Sequence, residues 1–405
     1  MKAIYYIETL LLATALSCCK GDEMPDPIKV LGTDQASVLV LSPNSPVLIA
    51  DGKSLLSFSG DFFYTTPETK DSLFRLPSDR VDQSKVMIES SDGKTFSAAE
   101  TYSTIDPTRD QVTFTAKYGT LTSKPVTINL YPKSEPITDR KEIPVTIYLF
   151  TSDKTESLAK DLTDTYLYEV MDEVNKICDG SGYAEAPTKG DLGVKYVVNS
   201  IKREKVSSEK ETRDYLTEFC QRKSLYDKAE EMLYIMIITP STTSPNREIA
   251  PKYTYGDPAL LPGVREEGLT HISNLDEIKE SLTAADICID LSFTLLQTYS
   301  THVAATAVAY RLGLFYGLLD TDIDSRFTDP GQSPDIDFCP DTFTTDRIYT
   351  GVDMVTIPLA DGQVFRYRPF HVMEGAGPGI VFTADQAKRI KAAMRTVPFR
   401  GQAYR

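Results

Sequence analysis

The hydrophobic pattern of this 405-residue chain changes period near Tyr131, and that change restricts it to two differently built regions. Before it, β-prone runs are short: Ser37–Leu41, Ser54–Phe58, Lys85–Ile88, Val112–Ala116 and Val126–Leu130. Several alternate apolar with polar residues, as strands with one buried face do. Turn-forming residues stand between them at Ser42-Pro43-Asn44, Asp51-Gly52, Asp92-Gly93 and Asp106-Pro107. After it, Ile143–Phe150 reads as one strongly apolar strand. Leu162, Tyr166, Val170 and Val174 follow, four apart on one helix face. Gly193–Val198 and Met232–Ile238 read as further strands, and a proline-rich loop fills 239–268. A helical region from Leu275 onward is expected to end in a long helix containing Thr306 to Tyr316.

These patterns predict an α+β chain. Residues 30–131 are expected to form an immunoglobulin-like β-sandwich, the usual outcome of about a hundred residues of short strands and close turns. Residues 132–141, with Pro132 and Pro136, read as a linker, and 142–405 as an α/β domain. The content is 41% apolar and 10% aromatic, from 22 Tyr and 17 Phe with no Trp, which is enough for two real cores. A net charge of −15 argues against nucleic acid or an anionic membrane surface as a partner, because both require clustered Lys and Arg.

The first residues read as a processing segment. Lys2 is followed by the apolar stretch Leu10–Leu16, too short to span a bilayer. It runs into Ala15-Leu16-Ser17-Cys18-Cys19, which resembles a bacterial lipobox. Cys18, preceded by the small Ser17, is the better lipidation site, and Cys19 is the alternative. This sets 1–18 as a lipoprotein signal peptide and 19–29 as a tether. Lys20-Gly21-Asp22-Glu23 resembles the tag that carries Bacteroidota lipoproteins to the cell surface. An outer-membrane, surface-exposed, lipid-anchored protein is expected. Cys178, Cys220, Cys288 and Cys339 remain after processing, and in an oxidising compartment they are candidates for one or two disulfides of undetermined pairing.

The long helix carries the most specific resemblance. Thr306-Ala307-Val308-Ala309-Tyr310-Arg311-Leu312-Gly313-Leu314-Phe315-Tyr316 has the frame of the metzincin zinc-protease pattern H-E-x-x-H-x-x-G-x-x-H. Gly313 keeps its place, within the run Leu312-Gly313-Leu314-Phe315. Thr306, Tyr310 and Tyr316 occupy the three ligand positions, and Ala307 the position of the catalytic Glu. Downstream, Phe370-His371-Val372-Met373-Glu374 resembles a Met-turn. The run Gly377–Gln386 resembles the opening of the final helix in Bacteroidota zinc-metalloprotease lipoproteins of the pappalysin-like branch. Thr383 and Gln386 also suit a capping box.

The resemblance implies a metzincin-like domain with a degenerate active-site helix, in which Gly313 and Met373 keep the motif frame. It does not carry zinc or hydrolysis with it. Two imidazoles four residues apart and a neighbouring carboxylate are what the chemistry needs, and none is present on this helix. The chain has three His, at 271, 302 and 371, and these read as solvated or core-edge side chains. No cofactor is expected, and no enzyme activity. The function expected is binding of a peptide, protein or glycan in the former substrate cleft, lined by Thr306, Tyr310, Tyr316 and His371. The alternatives are an active zinc peptidase with a non-standard site, or a purely structural assembly partner. The acidic runs Asp320, Asp322, Asp324 and Asp335, Asp337, Asp341 read as solvated loops. An EF-hand would need Gly and Glu where Ser325 and Gly331 stand.

Overall fold

The computed structural model describes residues 33–64, 74–76, 80–106, 108–239, 251–255, 269–297, 300–319, 337–343, 348–349, 355–358, 364–374 and 379–400. Cys18, Cys19, the tag at 20–23, the run 320–335 and most of the proline-rich loop lie outside the described residues.

Among the described residues, the first region holds ten strands: β1 Val38–Pro43, β2 Val47–Ile49, β3 Leu56–Tyr64, β4 Phe74–Arg75, β5 Met87–Ser90, β6 Thr95–Ser97, β7 Thr101–Tyr102, β8 Gln111–Tyr118, β9 Leu121–Thr122 and β10 Val126–Tyr131. They form two sheets, β1-β3-β4 with β7 on β3, and β2-β10-β8-β5-β6 with β9 on β8. Inward residues of both sheets share one core, Leu39, Leu41 and Phe62 from the first meeting Ile88, Phe114 and Ile128 from the second. Phe114 sits at its centre, with Phe58 and Tyr102 rings each 4.8 Å away, within the range where aromatic pairs attract.

The second region is an α/β assembly around β11 Lys141–Thr151, β12 Val194–Lys205, β13 Leu233–Ile238 and, beyond two short strands, β14 Tyr253–Tyr255 and β15 Thr270–Ile272, the edge strand β16 Cys288–Ser292. The order β12-β11-β13-β16 is parallel throughout. Sheets of that kind need helices on both faces, so their strands are apolar on both sides. Ile143, Val145, Ile147 and Leu149 of β11 point one way, and Tyr148 and Phe150 the other. The helices are α1 Glu156–Ala159, α2 Asp164–Cys178, α3 Arg213–Arg222, α4 Ala284–Ile287, α5 Phe293–Leu296, α6 Thr301–Phe315 and α7 Ala384–Thr396. α2, α6 and α7 cover the first face, while α3 and α4 cover the second. Three short strands, β17 Ile348–Tyr349, β18 Val355–Pro358 and β19 Val364–Tyr367, make an antiparallel sheet before α7. The chain is therefore mixed α and β. No helix among the described residues is long and apolar enough to cross a membrane.

One sequence expectation is corrected here. The stretch from Leu275 is not continuously helical: β16 interrupts it and completes the sheet. Its Asp290 is buried mid-strand because Arg213, from α3, pairs with it through Nε at 2.8 Å. Hydrogen bonds also join the two regions. Ile49 N–H donates to Pro187 O and Leu55 N–H to Glu185 O, both at 2.8 Å. Arg366 N–H, on β19, donates to Ser42 Oγ of β1 at 3.2 Å.

Candidate functional site

α6 is nearly all apolar, which is what a helix inside a core requires. Ser300 caps its start by accepting from Val303 N–H at 3.3 Å. Its far end is met by two buried arginines. Arg400 donates to Phe315 O, and Arg389 Nε to Gly317 O at 2.8 Å. Positive groups at the carbonyl end suit the helix dipole. Burial is deep enough to bring the Arg400 pKa down to about 10.

Ala304, Ala305, Val308, Ala309 and Leu312 bury one face of α6 in the core shared with α2. His302, Thr306, Ala307 and Tyr310 form a half-exposed stripe on the other. The structure thus brings Thr306, Ala307 and Tyr310 together. It places Tyr316 elsewhere: this ring is fully buried, edge-on to Phe315 at 5.2 Å, and does not line a cleft. It belongs to the apolar core that also holds Leu312 and Leu318.

Beneath the helix, the turn Val372–Glu374 lifts Met373 against Gly313. A Cβ at 313 would stand 2.5 Å from Met373 Sδ and 3.3 Å from the Phe382 ring, so a side chain there collides. The Thr306 hydroxyl donates to Gly379 O at 2.8 Å, with His302 O at 3.1 Å sharing it. This ties α6 to the segment 379–381, which pairs back onto 370–372 through Ile380 N–H to Phe370 O and Val372 N–H to Val381 O, both 2.9 Å.

His371 is buried in a polar chain, not exposed in a cleft. Thr383 N–H donates to Gln386 Oε1 at 3.1 Å, leaving the Gln386 amide nitrogen to donate to His371 Nδ1 at 3.2 Å. A neutral ring accepting at Nδ1 carries its proton on Nε2, which faces Glu374 Oε2 at 3.3 Å. Tyr367 OH donates to the other Glu374 oxygen. The remaining imidazoles lie apart, His302 beside Glu173 and His271 beside Thr254. Among the described residues, no group of three or more His, Cys, Asp or Glu is arranged to hold a metal ion.

Asp337 and Asp341, expected in a solvated loop, are buried. Asp337 accepts from Cys339 N–H at 3.0 Å and Thr342 Oγ1 at 2.6 Å. Asp341 accepts from Thr383 Oγ1 at 2.6 Å, Thr188 Oγ1 at 2.8 Å and Asp385 N–H at 3.0 Å, which places a carboxylate at the start of α7. Burial, with Asp385 nearby, raises its pKa. Asp385 in turn accepts from Tyr131 OH at 2.6 Å, joining the end of β10 to α7. Among these, sequence reasoning had a signal for the Thr383–Gln386 capping box. Asp341 gave none, because Thr188 and Thr383 are distant in the chain, and Tyr367 and Glu374, seven residues apart, follow no regular spacing.

The cysteines, expected to supply disulfides, are four buried free thiols. Cys178 and Cys339 pack into the core around α6, and Cys220 and Cys288 into the one beneath α3. Burial pushes the Cys178 and Cys339 thiols well up, which keeps them protonated and unreactive. No protein-family model matches the chain, and no curated protein matches it.

Proposed function

We propose that residues 142–405 form a metzincin-related domain that has lost its metal site and works by binding. The same reading makes 30–131 an immunoglobulin-like region, and holds the protein at the cell surface through a lipid on Cys18, or on Cys19. The observation that carries the kinship is the contact of Gly313 with Met373: the two retained motif residues meet, with no room for a side chain between helix and turn. The parallel sheet, whose last strand β16 is followed by the single-turn α5 and then α6, supports it.

The residues do not fit zinc. Thr306 spends its hydroxyl proton on a backbone carbonyl, Ala307 has no donor atom, and Tyr316 is buried among apolar side chains. Catalytic zinc takes three protein ligands and a water, and this face offers no such set. What it offers is a half-exposed stripe of His302, Thr306, Ala307 and Tyr310. Small residues leave a shallow floor, and a tyrosine supplies a rigid apolar ring with a polar tip, a combination suited to gripping a peptide, protein or glycan.

The test is to incubate the mature chain with a tryptic-digest peptide pool and read both enrichment and cleavage by mass spectrometry. Enrichment without cleavage, lost in Tyr310→Ala, is expected. Cleavage would refute the non-catalytic reading. Neither would favour the assembly-partner reading, which the burial of Tyr316 and the Thr306 tie already support.

A further inference from the structure

The parallel sheet reverses its winding at β11: the chain runs from β11 to β12 on one side, then returns to β13 on the other. At such a reversal, the loops leaving the carboxyl ends of the strands diverge and open a crevice where ligands are held. Glu211, just before α3, occupies this one at 1% exposure. Its Oε2 accepts from Thr155 Oγ1 at 2.7 Å, after β11, and from Thr239 Oγ1 at 2.6 Å, after β13. Its backbone oxygen accepts from Thr239 N–H at 3.1 Å. Glu211 Oε1 is buried, with no hydrogen-bond partner among the described residues. A carboxylate out of water with one oxygen unmet is strongly unfavourable, and its two hydroxyl partners carry no compensating charge.

We propose that Glu211 Oε1 and Thr239 Oγ1 hold a monovalent inorganic cation, sodium or potassium, that ties the start of α3 to the end of β13. The donors are all oxygen, which selects a hard cation. One carboxylate balances one charge, whereas calcium sites gather several. The site is independent of what the α6 face binds.

The test is thermal unfolding of the mature chain in sodium, potassium and choline chloride at equal ionic strength, with the sodium NMR line width as a direct readout. The midpoint is expected to be about 2–4 °C higher in sodium or potassium than in choline. The sodium line should broaden and sharpen again on adding potassium. Glu211→Gln keeps the size and the acceptor for both hydroxyls, and should abolish both effects. Should that variant not fold, Thr239→Val and the wild-type line width still decide. Equal midpoints in all three salts with an unbroadened line would overturn the proposal, leaving water as the partner of Oε1. Stabilisation by calcium where sodium and potassium do nothing would overturn it as well.

Discussion

The space beneath α6 and the start of α7 both hold the C-terminal block in place, by opposite means. Under α6 the contact is dry: Gly313 against Met373, with Phe382 and Leu318 closing around them. At α7 it is polar: Thr383, Thr188 and the Asp385 backbone all converge on the buried carboxylate of Asp341. Packing resists changes of volume and ignores pH, whereas a buried carboxylate tolerates little change in its partners and is sensitive to protons. The two contacts therefore fail differently, and each can be broken separately.

Met373→Ala should have the largest effect. It empties a fully buried site, and its cost is expected to be about 2–5 kcal/mol, read from urea unfolding. Gly313→Ala should cost about 1–3 kcal/mol by forcing a methyl onto Met373 Sδ. The sharper test is the double variant. With the methionine side chain gone, alanine at 313 has space, so the pair should be more stable than the sum of the single losses predicts. Additive losses would mean that Gly313 is required for some reason other than Met373.

On the polar side, Thr383→Ala removes the cap of α7 and a donor to Asp341, at an expected cost of about 0.5–2 kcal/mol in the same assay. The smallest effect is a slope. Burial raises the folded pKa of Asp341, with Asp385 adding to it, so the folded state binds the proton more tightly than the unfolded chain. Stability from this group must then fall as pH rises through the carboxylate range, the reverse of a salt-bridged aspartate. Asp341→Asn should therefore gain stability relative to the wild type as pH rises across that range, read as the difference between their unfolding free energies. Met373→Ala should leave the slope as it was.

Local physics in the sequence reached as far as its periodicity did. The five short runs became β1, β3, β5, β8 and β10, and Thr383 with Gln386 formed the expected capping box. β16 was missed because Asp290 breaks the apolar run. The charge is met by Arg213, from α3, and no local pattern announces such a partner. Asp341 read as solvated for the same reason, its partners Thr188 and Thr383 being far along the chain, whereas Asp337 is met locally by Cys339 and Thr342. Tyr316 is buried because α6 ends inside the core, a property of the surrounding helices rather than of the residue.

Zinc content of the mature protein, measured by elemental analysis after zinc loading and desalting, tests the loss of the metal site most directly. The account predicts less than about a tenth of an equivalent, since Thr306, Tyr310 and Tyr316 do not supply the three ligands a catalytic zinc requires. A content near one equivalent would contradict it, and His302 with Glu173 would then be the first pair to mutate.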